Sequence, residues 1–269
     1  MAGYGFNGPA FSENGYQAPA ASTTTIRGAS AAELDEMYQR PAATTVDTGR
    51  MSYEDTIVKT GVSFLLVLAG AAVGWIFPAL AIPALIAGFA LSLVNIFKKQ
   101  PSAALVLLYA AAEGVFLGAI TGWLETLYPG IAMQAVLATF AVFGVTLALF
   151  ASGKIRASAR ATKIFLIAII GYSVYSLLNL GLMVFGANTS PWGLNSSVEI
   201  AGIPLGLILG VVVVLLAAYS LVLDFDMVQR GVRNGAPRIY GWQAAFAITS
   251  TMVWLYLEIL RMLAISRES

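Results

Sequence analysis

Ala201-Gly-Ile-Pro-Leu-Gly-Leu-Ile-Leu-Gly-Val-Val-Val-Val-Leu-Leu-Ala-Ala-Tyr-Ser-Leu-Val-Leu-Asp-Phe-Asp-Met-Val228 runs for 23 residues before its first charge. At about 1.5 Å per residue, a helix of that length crosses a hydrocarbon core of about 30 Å. The run then ends on two carboxylates, Asp224 and Asp226. Similar apolar stretches occur at about 56–77, 80–97, 103–124, 130–151, 162–186 and 241–264, which makes seven. Of the 269 residues, 58% are apolar and 11% charged, where a soluble domain has roughly 45–50% and 25%. The expected fold class is therefore all-α: a polytopic integral membrane protein with seven transmembrane helices in a lipid bilayer. Ser52 with Asp55 reads as the N-cap of the first helix. Pro78-Ala79 alone separates the first two stretches, which predicts a tight helical hairpin.

Charge divides the chain into two parts. Residues 1–55 carry three arginines and seven acids, whereas the remainder carries twelve Lys/Arg and seven acids. Residues 1–50 are rich in Gly, Ala, Pro, Ser and Thr and lack an apolar period that could build a core, which predicts a disordered tail. Within it, Ser30, Glu33 and Pro41 frame a short helix at 31–40. The tail reads either as a partner-docking segment or as a solvated leader, and no cleaved signal peptide is expected. Residues 51–269 form the seven-helix domain.

Basic residues set the orientation. Lys98 and Lys99, then Lys154, Arg156, Arg160 and Lys163, then Arg230, Arg233 and Arg238 fall in alternate connections. The intervening ones, around 78–80, 125–130 and 187–200, hold no Lys or Arg. The positive-inside rule then predicts a multi-pass cell-membrane protein with a cytoplasmic N-terminus and an extracytoplasmic C-terminus. Gly70 with Gly74, Gly114 with Gly118 and Gly206 with Gly210 are spaced four apart, on single helix faces where backbones can approach closely.

Absences narrow the chemistry. With no Cys and no His, thiolate and imidazole ligands, Ser–His or Cys–His catalysis and a histidine pH switch are excluded. Both intramembrane aspartates lie on one helix, the last lysine is Lys163, and no phosphate-binding loop is present. Paired-aspartate proteolysis, retinal attachment and nucleotide chemistry lose their residues. No enzyme activity, no cofactor and no nucleic-acid partner are expected.

What remains is a set of ionisable groups inside spans, each costly there unless paired or hydrated. Glu113 has no cation within its own helix, which favours a functional role. Glu258 and Arg261 are three apart: either they form a structural pair or Glu258 lines a path. Asp226 either pairs with Arg230 or reaches the interface. Ranked by depth, the carboxylates suggest a staircase through the bilayer. Lys59, near the end of the first span, is expected to snorkel to lipid phosphates.

The order of these features resembles the Bax-inhibitor-1/YccA-like membrane proteins. The resemblance rests on Tyr109-Ala-Ala-Ala-Glu-Gly-Val-Phe-Leu-Gly118, Thr146-Leu-Ala-Leu-Phe150, Leu221-Val-Leu-Asp-Phe-Asp-Met-Val228, Ala244-Ala-Phe and Leu255-Tyr-Leu-Glu-Ile-Leu-Arg-Met-Leu263. It implies six helices around a central seventh and a pH-sensitive calcium leak channel, with calcium as the transported or sensed ion. It also implies a sensing pair of aspartates, one ending the sixth helix and one in the seventh. Asp224 matches the first, with Asp226 carried as its alternative. The second falls on Thr251, which cannot titrate. Lys98 or Lys99 stands where some relatives place a basic latch, and Arg261 matches the family's arginine. A leak through Asp224, Asp226, Glu113 and Glu258 is the first functional reading, and calcium would be held, if at all, by Asp224 and Asp226. The alternative is a non-transporting regulator that binds another membrane protein, such as a quality-control protease. A third is a solute transporter coupled to protons through Glu113.

Overall fold

The computed structural model describes residues 49–268. The expectations for a disordered tail and for a helix at 31–40 therefore fall outside the described residues, apart from Gly49 and Arg50. Among the described residues, seven helices are long and apolar enough to cross a membrane. Numbering only these, they are α1 (Tyr53–Ile76), α2 (Ala81–Phe97), α3 (Ala103–Leu127), α4 (Ile131–Ala151), α5 (Ala159–Val184), α6 (Leu205–Arg233) and α7 (Gly241–Glu268).

Local chemistry sets the ends. The Ser52 hydroxyl accepts from the Asp55 amide at 3.1 Å and caps α1, as expected from the sequence. A 3-10 turn at Pro78–Leu80 closes the α1–α2 hairpin. The start of α6 differs from the sequence expectation. It begins at Leu205 rather than near 201, because Glu199–Ile200 pairs with Ile203–Pro204 in a small antiparallel hairpin. Its turn residues, Ala201 and Gly202, have φ of 55° and 77°, the left-handed pair such a two-residue turn needs. Hydropathy alone does not separate this apolar hairpin from the helix after it.

α7 is the centre of the bundle. Of its apolar window, 61% is buried inside the protein, against 11–39% for the other six. Leu255, Ile259 and Leu260 of α7 pack with Leu221 of α6 and Ile131 and Ala135 of α4 in one core. Phe143 and Phe150 of α4 close on Phe225 of α6, with ring centroids 5.8 and 5.6 Å away.

The glycine pairs of α1 and α3 face each other. A Cβ on Gly70 would stand 2.5 Å from the Ala111 carbonyl oxygen, and one on Gly118 would overlap the backbone of Ala71. Helices that close leave no room for any side chain at the contact, and dispersion between backbones replaces a hydrophobic drive that lipid cannot supply. Gly206 and Gly210 serve the α6–α7 contact instead, against Ile265 and Met262.

At the basic-loop end the chain preceding α1 is tied to the α6–α7 connection. Gly49 and Met51 exchange backbone hydrogen bonds with Arg238 and Ala236 at 2.8 and 2.7 Å. Lys59 does not snorkel. It is buried, donating to the Asp55 carboxylate and to the Arg238 carbonyl at 2.7 Å. The Arg238 guanidinium meets the same Asp55 at 2.7 Å. An acid one turn before the lysine and a carbonyl from the facing connection satisfy the ammonium better than lipid would.

Candidate functional site

Asp224 sits on α6 nine residues before the helix end at Arg233, or about 14 Å of rise. It is 2% exposed. Across the α6–α7 contact the Thr251 hydroxyl donates to Asp224 Oδ2 at 2.7 Å, and the Ser220 and Thr251 hydroxyls stand 3.4 Å apart. Thr251 is ten residues into α7, so it meets Asp224 at the same level. Thr251 thus faces Asp224 across the α6–α7 contact and presents a hydroxyl to it.

No Lys or Arg pairs with Asp224 among the described residues. Lys98 and Lys99 are exposed and form no ion pair with a described carboxylate. Lys98 instead borders a small cavity of about 10 Å³ with Asn95 of α2 and Gln243 and Phe246 of α7. Asp226 points elsewhere: it pairs with Arg230 one turn on, at 3.0 Å.

Glu113 lies ten residues into α3, about 15 Å from its start and so level with Asp224 and Thr251. Its carboxylate abuts α2 at Gly88, where an added Cβ would stand 2.9 Å from Glu113 Oε1. Glu113 makes no hydrogen bond or ion pair with another described side chain. One turn before it, Tyr109 packs edge-on against Phe246 of α7 at 4.8 Å, tying this part of α3 to the central helix.

Glu258 belongs to a different group, about 26 Å along α7. Its carboxylate pairs with Arg261 at 2.5 Å. It also accepts from the Tyr172 hydroxyl of α5 at 2.6 Å and from the Trp254 indole at 3.2 Å. Arg261 in turn donates to the Tyr172 oxygen at 2.7 Å. The group is neutral overall, and the hydrogen bonds from Tyr172 and Trp254 supplement the ion pair, although Arg261 Nε is buried without a hydrogen-bond partner. Trp254 is readable from the sequence as the residue one turn before Glu258. Tyr172 is not, because only packing brings α5 to α7.

Asp226 and Glu258 are each paired with an arginine, while Asp224 on α6 and Glu113 on α3, neither with a Lys or Arg partner among the described residues, lie at similar depth. A carboxylate without a counter-charge in a membrane interior must be protonated, hydrated or cation-bound. These two are where a proton or a hard cation has something to bind.

Neither the curated proteins nor the solved structures contain a match to this chain. The model of the family described as Bax inhibitor 1 like matches residues 8–268, nearly the whole length, and the chain belongs to that family.

Proposed function

We propose that this protein is a pH-sensitive cation leak of the cell membrane, calcium being the favoured ion, oriented with its basic connections in the cytoplasm. The observation that carries the reading is Asp224, a carboxylate buried at the α6–α7 contact whose side-chain partner is a hydroxyl rather than a cation. In this mechanism protonation removes the charge that draws a cation to the Asp224 level. Deprotonation restores it, with Glu113 as a second carboxylate at the same depth. Calcium prefers oxygen ligands of this kind. Membership in the family supports the reading, and Thr251 modifies it, since one member of the sensing pair no longer titrates. Asp226 and Glu258 serve as paired, structural acids in this scheme.

Calcium entry into dye-loaded liposomes containing the purified protein, measured from pH 5 to 8, tests it. Wild type is expected to show a pH-dependent flux that Asp224→Asn makes pH-independent and Glu113→Gln reduces. Flux no greater than that of empty liposomes, from protein that is folded by circular dichroism, refutes the leak. That result would favour the partner-binding regulator, which pull-down from native membranes would then examine.

A further inference from the structure

A cleft on the lipid-facing side of the bundle is separate from the carboxylates. Helices α1, α3, α4 and α7 enclose about 250 Å³ between Phe64 and Trp75 of α1, Leu117 of α3, Val136 and Phe140 of α4 and Tyr256 of α7. It lies toward the end of the bundle opposite the basic connections: Trp75 is in the last turn of α1, and Ala132, also in the wall, is the second residue of α4. Phe64 and Trp75 are eleven residues apart, so the cleft follows α1 for about 16 Å. Half of a hydrocarbon core of about 30 Å, the depth of one leaflet, is the same length.

The lining determines what can enter. Its hydroxyls are already engaged: Thr121 and Tyr256 bond each other at 2.8 Å, and Thr139 donates to the Ala135 carbonyl at 2.7 Å. The other walls present carbon. Water, an ion or a polar ligand would give up its hydrogen bonds here and find no replacements. Hydrocarbon loses nothing. The cleft is open sideways, where Leu68, Trp75 and Phe140 are exposed, and in a chain that crosses a bilayer that side faces acyl chains.

Trp75, at the outer end of the cleft, is half-exposed, as tryptophans at membrane interfaces are.

We propose that this cleft is a binding site for one acyl chain of a glycerophospholipid from the adjacent leaflet. The test uses the full-length protein in nanodiscs containing a phospholipid with a diazirine in mid-chain, followed by irradiation and mapping of adducts by mass spectrometry. Adducts are expected to be several-fold more frequent on Leu68, Val136 and Phe140 than on Ile167 and Leu177, which are exposed on α5 away from the cleft. Val136→Trp, which fills the cleft, and Ala132→Phe, which narrows its mouth, should each remove the cleft adducts and leave those on α5. Equal labelling of cleft and α5 in the wild type overturns the site whether or not the variants fold. Cleft adducts that persist in both folded variants also overturn it.

Discussion

A hydroxyl facing Asp224 allows fewer protonation states than a second carboxylate would. Two close carboxylates share one proton because both cannot ionise side by side, whereas Thr251 can only donate. Thr251 adds no titrating group, so any second step in the pH dependence of the proposed flux should come from Glu113 and disappear in Glu113→Gln. Thr251→Val keeps the shape and removes the donor, and should cost about 1–3 kcal/mol of stability in detergent unfolding, as for any buried acceptor left unmade. Thr251→Ser should restore most of it. The Glu258 network makes the opposite prediction. Arg261→Ala leaves a buried charge without its partner and should cost about 3–5 kcal/mol. The double change Glu258→Gln with Arg261→Gln should cost less, and Glu258→Gln should leave the pH profile of flux where it was. A pH profile altered by Glu258→Gln would return that residue to the path.

Between elements, the α1–α3 contact is the most demanding of sequence. Gly74 and Gly118 each leave no space for a Cβ, since one placed there would overlap a backbone carbonyl of the facing helix. Gly118→Val should therefore prevent these helices from closing and abolish a monodisperse, folded peak in size-exclusion chromatography. Gly61→Ala and Gly144→Ala meet nothing within 4 Å. Both are in helix interiors, so each should be neutral or stabilising by up to about 1 kcal/mol, the helix-propensity difference. The four-residue spacing was visible in the chain as written, but not that the first pair would seat on the third helix while Gly206 and Gly210 would meet side chains of α7. Spacing identifies a face, and only packing names its partner.

For the molecule as a whole, the distribution of charge predicts how it sits in the membrane. Because the chain has no cysteine, single-cysteine variants report position without background. Lys154→Cys in the α4–α5 connection should react with an impermeant maleimide only from the cytoplasmic side, and Thr189→Cys in the α5–α6 connection only from outside. The reverse pattern would invert the bundle and place the Asp224 level nearer the outer surface. The clasp of Asp55, Lys59 and Arg238 joins the entrance of α1 to the connection between α6 and α7. The two helices that carry Asp224 and Thr251 are thus held to the first helix at the end where the chain enters the bundle.

Seven spans, their approximate limits, the N-cap at Ser52 and the hairpin at Pro78 were all legible in the chain, because apolar length, capping residues and proline act locally. Membership of the family was legible in the order of short motifs. Tertiary structure decided which acids are neutralised. Glu258 and Arg261 could be paired on paper, but the tyrosine that completes them comes from a helix 86 residues away. Lys59 looked free for lipid until Arg238 arrived from 179 residues along the chain. The common depth of Asp224, Thr251 and Glu113 likewise depends on where each helix begins and ends, and that is set by a hairpin and by connections which hydropathy does not resolve. The energy of a charge in a membrane is fixed by its nearest partner, and here those partners come mostly from distant parts of the sequence.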